Sequence, residues 1–476
     1  MDATAQAAAV RSGDVSPAEL TEESLARIDR LDPELHAVVH RLDDKARAAA
    51  RGPLPDGPFR GVPILVKDLT AHSAGDPFHE GMRALRDAGH REPDDSFLVG
   101  RLRGAGFVLV GRTNTPEMGI VPTTEPLAYG ATHNPWDTTR SAGGSSGGSG
   151  AAVAAGMVAL AHGNDGGGSI RIPSSVCGLY GLKPSRGRTS LGPQFGEVWA
   201  GFEAEHVLTR SVRDSAGVLD VLAGPMPGDP YTAPPPARAF AEAATGGAGR
   251  LRIGVCAADP TGATEVRPEC RAAVEATAAL LEGLGHEVEE SWPAGLAAAE
   301  FVANFITVFT GYVEWCLEDA AGRIGRPVDA AGCEPLTWAL AEMSRGSSPG
   351  RYLAAVQALH AFGRAVRSWW EVDGWDLLLT PTVPEPAWPL GQFTAPDDNP
   401  LAPLFRAAQI VPFTAPFNVT GQPAASLPLH WSPGGLPVGV QLVGAYGRED
   451  VVLAVSAQLE EARPWAQRRP PVHGAG

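Results

Sequence analysis

A chain of 476 residues, 44% apolar and 19% charged, can bury a large core and has material for two to four domains or one large α/β domain. Its formal charge of -16 argues against nucleic acid or an anionic membrane as a partner, because both are bound through basic patches. No apolar run is long enough to cross a bilayer, and no basic segment followed by an apolar core opens the chain. The five cysteines (177, 256, 270, 316 and 333) form no Cys-x-x-Cys pair, so the expectation is a cytoplasmic protein without disulfide framework, metal or cofactor.

Ser16-Pro17-Ala18-Glu19 is a capping box with proline at the first helical position, and it opens a helix carrying Leu20, Leu25, Ile28 and Leu31 at helical spacing. Val62 to Val66 reads as a buried strand, 95–102 as a helix, and Phe107 to Gly111 as another strand. Residues 151–161, rich in Ala and Val, predict a small-residue helix. The stretch 225–249 is heavy in Pro, Ala and Gly and reads as a surface connection. A β-α-β unit follows, with strand 251–256, helix 267–284 and strand 286–290. Residues 297–372 read as mostly helical and 377–379 as a buried strand. Residues 424–429 and 436–443 read as a hairpin around Pro433-Gly434-Gly435, and 450–461 as a closing helix. The pattern is α/β throughout, without an internal repeat or a break that separates two cores.

Only three of the 38 basic residues are lysines (45, 67 and 183). Lys67 ends the apolar stretch Val62-Pro63-Ile64-Leu65-Val66. A lysine desolvated there can lose its proton and serve as a base, which arginine cannot; the plainer alternative is a lysine reaching to water from a strand end. Two Gly/Ser clusters follow. In Asp165-Gly166-Gly167-Gly168-Ser169 the glycines can place successive N–H groups in a concave nest for an oxyanion, with a serine at its end; a simple tight turn has the same composition. Gly143 to Gly150 has linker composition, yet an apolar helix follows it at once, as where a glycine run delivers a helix N-terminus. Gly144-Ser145-Ser146-Gly147-Gly148 also fits a nucleophile elbow at Ser146, which requires a strand immediately before it; Asp137 to Ser141 is polar and does not read as a buried strand. Phe301, Phe305, Phe309, Tyr312 and Trp315 form an aromatic stripe that reads as core packing or as a pocket for apolar or aryl acyl groups.

With Gly61–Asp68, Gly111–Met118, Asn134-Pro135-Trp136, Gly143–Gly150, Asp165–Pro173 and Gly178–Pro184 in this order, the chain resembles the amidase signature family of serine hydrolases. Sparser matches at Pro381-Thr382, Pro416–Pro423 and Leu436–Gln441 extend the resemblance over nearly the whole chain. It implies one domain over 1–476, with a mixed twisted sheet covered by helices on both faces, a dense motif core at 60–190 and a variable pocket region near 225–370. It implies Ser169 as nucleophile, Ser145 as relay serine held by a cis peptide bond, and Lys67 as general base. The amides of Gly166, Gly167, Gly168 and Ser169 then make the oxyanion hole, braced by Asp165 and Arg171. Met118, Gly119 and Phe309 are the expected substrate contacts. The family more often has Thr or Ile at position 166, so the third glycine either loosens the loop or widens the pocket.

His162–Asp165, Gly374-Trp375-Asp376 and Tyr446–Asp450 look closest to the nylon-oligomer branch of the family, whose members open cyclic or linear amides of amino acids. The implied partner is a small-molecule amide, with a homodimer as the family expectation. Rival readings are an anilide- or carbamate-cleaving enzyme on the same triad, the amidase subunit of a tRNA-dependent amidotransferase, a non-catalytic scaffold, and the elbow at Ser146.

Overall fold

In the computed structural model, which describes residues 1–474, the strands are β1 (Val38–Arg41), β2 (Pro63–Lys67), β3 (Val108–Thr113), β4 (His133–Asn134), β5 (Asp137–Ser141), β6 (Leu160–Asn164), β7 (Tyr180–Lys183), β8 (Glu205–Thr209), β9 (Arg252–Val255), β10 (Glu287–Glu290), β11 (Leu377–Pro381), β12 (Ala424–Trp431) and β13 (Pro437–Gly444). Eleven of them form one mixed sheet in the order β1-β3-β2-β6-β8-β7-β12-β13-β11-β9-β10, flanked by helices, and β4 pairs with β5 apart from it. Two parallel groups, β3-β2-β6 and β11-β9-β10, are joined by a run of antiparallel pairs. The expected hairpin is the β12–β13 pair.

Every residue of β2 is buried, which is why it reads as an unbroken apolar run rather than an alternation. Because β2, β3 and β6 are parallel, their C-terminal ends fall on the same edge and deliver Lys67, Thr113-Asn114 and Asn164-Asp165 there. Open α/β sheets commonly build ligand sites at such an edge.

The capping box is formed: the Ser16 hydroxyl accepts from the Glu19 amide and the Glu19 carboxylate accepts from the Ser16 amide, opening the helix Pro17–Leu35. The helical stretch after 297 is three helices, Phe301–Ile324, Pro335–Arg345 and Pro349–Glu371. The connection 225–249 is largely exposed, with one helical turn at Phe240–Ala243 whose ends are buried.

One expectation is corrected. The helix placed at 151–161 runs instead from Gly147 to Ala154, and 160–164 is strand β6. Its first turn is made of the glycines themselves, because a Cβ on Gly147 would collide with the Thr124 side chain and one on Gly148 with the Asn114 backbone. Gly156, at φ 78°, ends the descent into β6. As expected, Asp137 to Ser141 is not a buried strand: it forms a partly exposed strand of the two-stranded ribbon, so no strand of the main sheet feeds Ser146.

Candidate active site

Lys67 is wholly buried at the end of β2. Its Nζ lies 2.7 Å from Ser145 Oγ, and Asn164 Oδ1 accepts from it on another side. The Asn164 amide is fixed in turn by donating to Thr70 Oγ1 at 2.8 Å, so its oxygen can only face the lysine. Behind the lysine, His162 accepts from the Lys67 amide through Nδ1 and so carries its proton on Nε2, toward Glu205. Burial disfavours the ammonium and pushes the Lys67 pKa down to about 8, against the opposing pull of Glu203, Glu205 and Asp165. A lysine of this kind is partly neutral near neutral pH and can take a proton from the hydroxyl it touches.

The peptide bond between Gly144 and Ser145 is cis. The Ser146 amide donates to the carbonyl of Ser169 at 3.3 Å, which joins the two glycine loops side by side. Ser146 itself is buried and its hydroxyl donates to Asn164 O, so the residue of the elbow reading is spent inside the protein. Ser169 is only half-buried and lines a cavity, and its Oγ has no hydrogen-bond partner among the described residues.

The loop before Ser169 is held by a buried ion pair. Arg171 donates to both carboxylate oxygens of Asp165, at 2.9 and 2.8 Å. Burial alone would raise the Asp165 pKa, but Arg171 and further donors hold its carboxyl well below the usual range. The same carboxylate accepts from the amides of Gly168 (2.8 Å) and Ile170 (3.1 Å). This corrects one expectation: the Gly168 N–H is committed to Asp165 and is turned away from an oxyanion. The amides of Gly166, Gly167 and Ser169 have no acceptor among the described residues. A serine hydroxyl at the end of such a loop can attack a carbonyl whose oxygen those amides receive.

The C-terminal part of the chain closes the loop from outside. Arg171 also donates to Thr414 O, Gln441 Oε1 and Asn418 Oδ1. Asn418 donates to Asp165 and to the carbonyl of Phe202, and Thr414 Oγ1 donates to Gly167 O at 2.7 Å. Asn418, which opens a glycosylation-like Asn-Val-Thr, is thus buried in the site's support.

The cavity at Ser169 has a volume of about 330 Å³. Gly119 and Phe309 line it, with Phe301 and Phe305 of the aromatic stripe beside them. Tyr312 and Trp315 do not; Trp315 packs edge-on to Phe195, so the stripe divides between pocket and packing. Met118 is a second correction. It points away from the cavity into an apolar cluster with Cys316, Leu317 and Ala320, while its neighbour Gly119 faces Ser145.

Sequence reasoning missed Asn164, Trp199, Glu203 and Thr414. The signal for Asn164 was a polar residue closing a buried strand two positions after His162. Trp199, Glu203 and Thr414 lie outside any motif. Burial and the negative Glu205 push the Glu203 carboxyl up to about 8.

A family model for amidases matches residues 19–453. The chain belongs to this family, and it is an amidase, a hydrolase of carbon–nitrogen bonds. It is 45% identical over 476 residues to the 6-aminohexanoate-cyclic-dimer hydrolase of Paenarthrobacter ureafaciens, covering 98% of this chain and 96% of that protein. A solved structure of 6-aminohexanoate cyclic dimer hydrolase complexed with substrate superposes with a TM-score of 0.96 at 44% identity, covering 99% of each chain. A bacterial aryl acylamidase of the amidase signature family superposes with a TM-score of 0.87 at 28% identity, over 98% of this chain and 97% of that one.

Proposed function

We propose that the protein hydrolyses uncharged amides, cyclic or linear, through an acyl-enzyme on Ser169 with Ser145 and Lys67 as proton relay. The observation that carries this is the 2.7 Å approach of a desolvated lysine to Ser145 in the loop bonded to Ser169. Neutral Lys67 accepts the Ser145 proton while Ser145 accepts that of Ser169, and Ser169 Oγ bonds to the amide carbon. The amides of Gly166, Gly167 and Ser169 receive the oxyanion. The proton returns through Ser145 to the departing nitrogen, because an amine anion is a poor leaving group. Water, activated by the same relay, then releases the acid.

The substrate class follows from the cavity lining. Among the described residues its only charged group is Asp259, which is already engaged by Thr261 and Thr264, and the rest is mainly aromatic and aliphatic. Such a lining offers nothing to pair with a substrate carboxylate or ammonium, whose desolvation goes uncompensated. A cyclic amino-acid amide dimer, which has no free ends, fits this chemistry, and it is what the relatives' names describe. The aromatic lining favours anilides as a second class, in line with the aryl acylamidase similarity.

The test is hydrolysis of a mixture holding the 6-aminohexanoate cyclic dimer, its linear dimer, anilides, carbamates and simple aliphatic amides, read by mass spectrometry beside Ser169→Ala. Cleavage of the uncharged amides that is lost in the variant is expected. Cleavage that survives Ser169→Ala, or that is confined to the charged linear dimer, overturns the reading.

A further inference from the structure

The place a side chain would take at Gly166 is occupied. A Cβ there would stand 2.5 Å from Cε3 and 2.6 Å from Cζ3 of Trp199, and 2.6 Å from Glu203 Oε2. The carboxylate tip ends a flexible side chain and can swing aside. The indole cannot, because it stacks on Tyr312 (5.4 Å between centroids, 13° between planes) and packs against Phe305 and Phe309 at 5.3 and 5.0 Å. Gly166 does not have a left-handed φ, so its own backbone would accept an L side chain; only the neighbours forbid one.

Trp199 lines the cavity together with Gly167 and Ser169, and its Cη2 would be 3.8 Å from a Cβ on Gly167. The ring therefore lies against the loop that carries the free amides. Its backbone is left-handed, at φ 53°, as is that of Ala200 at φ 51°. Non-glycine residues hold that conformation only when their surroundings enforce it. The third glycine thus does not widen the pocket: the volume it vacates is filled by tryptophan.

We infer that Trp199 is the residue that sets the size of acyl group accepted beside the scissile carbonyl, and that position 166 is glycine because Trp199 stands where its side chain would be. This rests on Ser169 being the nucleophile proposed above. The two residues then form a coupled pair: a side chain at 166 is tolerated only when the indole is removed.

The experiment uses alkyl fluorophosphonates graded from methyl to branched and cyclohexyl groups. In each, Ser169 Oγ bonds to phosphorus, fluoride leaves, and the serine proton passes to Ser145 and Lys67. Labelling rates are read by intact mass on the wild type, Trp199→Ala, Gly166→Ala and the double variant, with Ser169→Ala as control. Trp199→Ala is expected to raise the rate for bulky probes relative to methyl by about tenfold or more, the scale on which a pocket discriminates groups of a few carbons. Gly166→Ala should slow all probes, and the double variant should recover to the level of Trp199→Ala. An unchanged size profile in Trp199→Ala, or a double variant whose loss is the product of the single losses, overturns the inference. If Gly166→Ala does not fold, the size profile of Trp199→Ala decides alone. Labelling that persists in Ser169→Ala instead overturns the nucleophile, a separate failure.

Discussion

The two ends of the active cavity are built on different physics. At the polar end, Lys67, Ser145, Asn164, Asp165 and Arg171 come from about a hundred residues of chain, and each buried polar atom has a named partner. At the apolar end, Trp199 and the helix residues Phe301, Phe305 and Phe309 come from segments about a hundred residues apart and touch through ring faces and edges, with Phe413 lining the same cavity. Hydrogen-bonded charges in a dry site are exacting, because removing one partner strands the other. Apolar packing is graded, because a smaller ring leaves volume rather than an unpaired charge. Substitutions at the first end should therefore abolish or destabilise, and those at the second should re-tune.

The sharpest break is Lys67→Arg. It keeps the positive charge but removes the ability to become neutral, so kcat should fall by about 10³-fold or more, as when a general base is lost. Steady-state kinetics on the best substrate of the panel checks this, and near-normal kcat would remove the lysine from the relay. In the unmodified enzyme the same chemistry appears as an acid limb. As the proposed base Lys67 must be neutral to act, and its pKa is pushed down to about 8, so kcat/KM should rise with pH through that region. The stability sign is the same. The unfolded chain binds the lysine proton up to its ordinary pKa of 10.5 and the folded chain does not, so this group makes stability rise with pH between about 8 and 10.5.

Arg171→Leu tests the buried pair. It leaves Asp165 charged, buried and short of its main partner, and the loss should be about 3–5 kcal/mol by chemical denaturation. A smaller loss than this would mean that Asn418 and the loop amides suffice to carry the charge.

Much of the polar end was legible in the sequence, for a physical reason. A loop that packs backbone against backbone has to be written in glycine, and a buried strand ending in lysine breaks its own apolar pattern. The capping box at Ser16 was legible because two residues suffice to make it. The helix at 147–154 was misplaced because its glycines have linker composition, and only the closeness of Asn114 and Thr124 explains them. Met118 was misassigned because in sequence it sits beside Gly119, and only the fold turns one inward and the other toward Ser145. Trp199 and Thr414 were invisible because what makes them matter is a contact with residues 33 to 247 positions away, which no local pattern records.

Asn164 lies between the two regimes. It accepts from the Nζ that also touches Ser145, without being charged itself. Asn164→Leu should lower kcat by about 10- to 100-fold, less than loss of the base, since the lysine stays but its lone pair is no longer aimed. Asn164→Asp is more telling. A carboxylate at hydrogen-bond distance favours the ammonium and should move the acid limb of kcat/KM upward by about one pH unit or more. A limb that does not move would separate Asn164 from the titrating group.

The smallest effect belongs to the apolar end. Phe305→Leu removes part of one ring from a cavity lined by several, and no polar atom is stranded by it. The fold should hold, and kcat/KM should change by about tenfold or less for any one amide, with the order of preference shifted toward larger acyl groups. Competition between a small and a bulky anilide in one reaction reads that shift directly. If Phe305→Leu instead silenced the enzyme for every substrate, the division would fail: the aromatic lining would be holding the catalytic loop in place, as Arg171 does, and not merely shaping what reaches it.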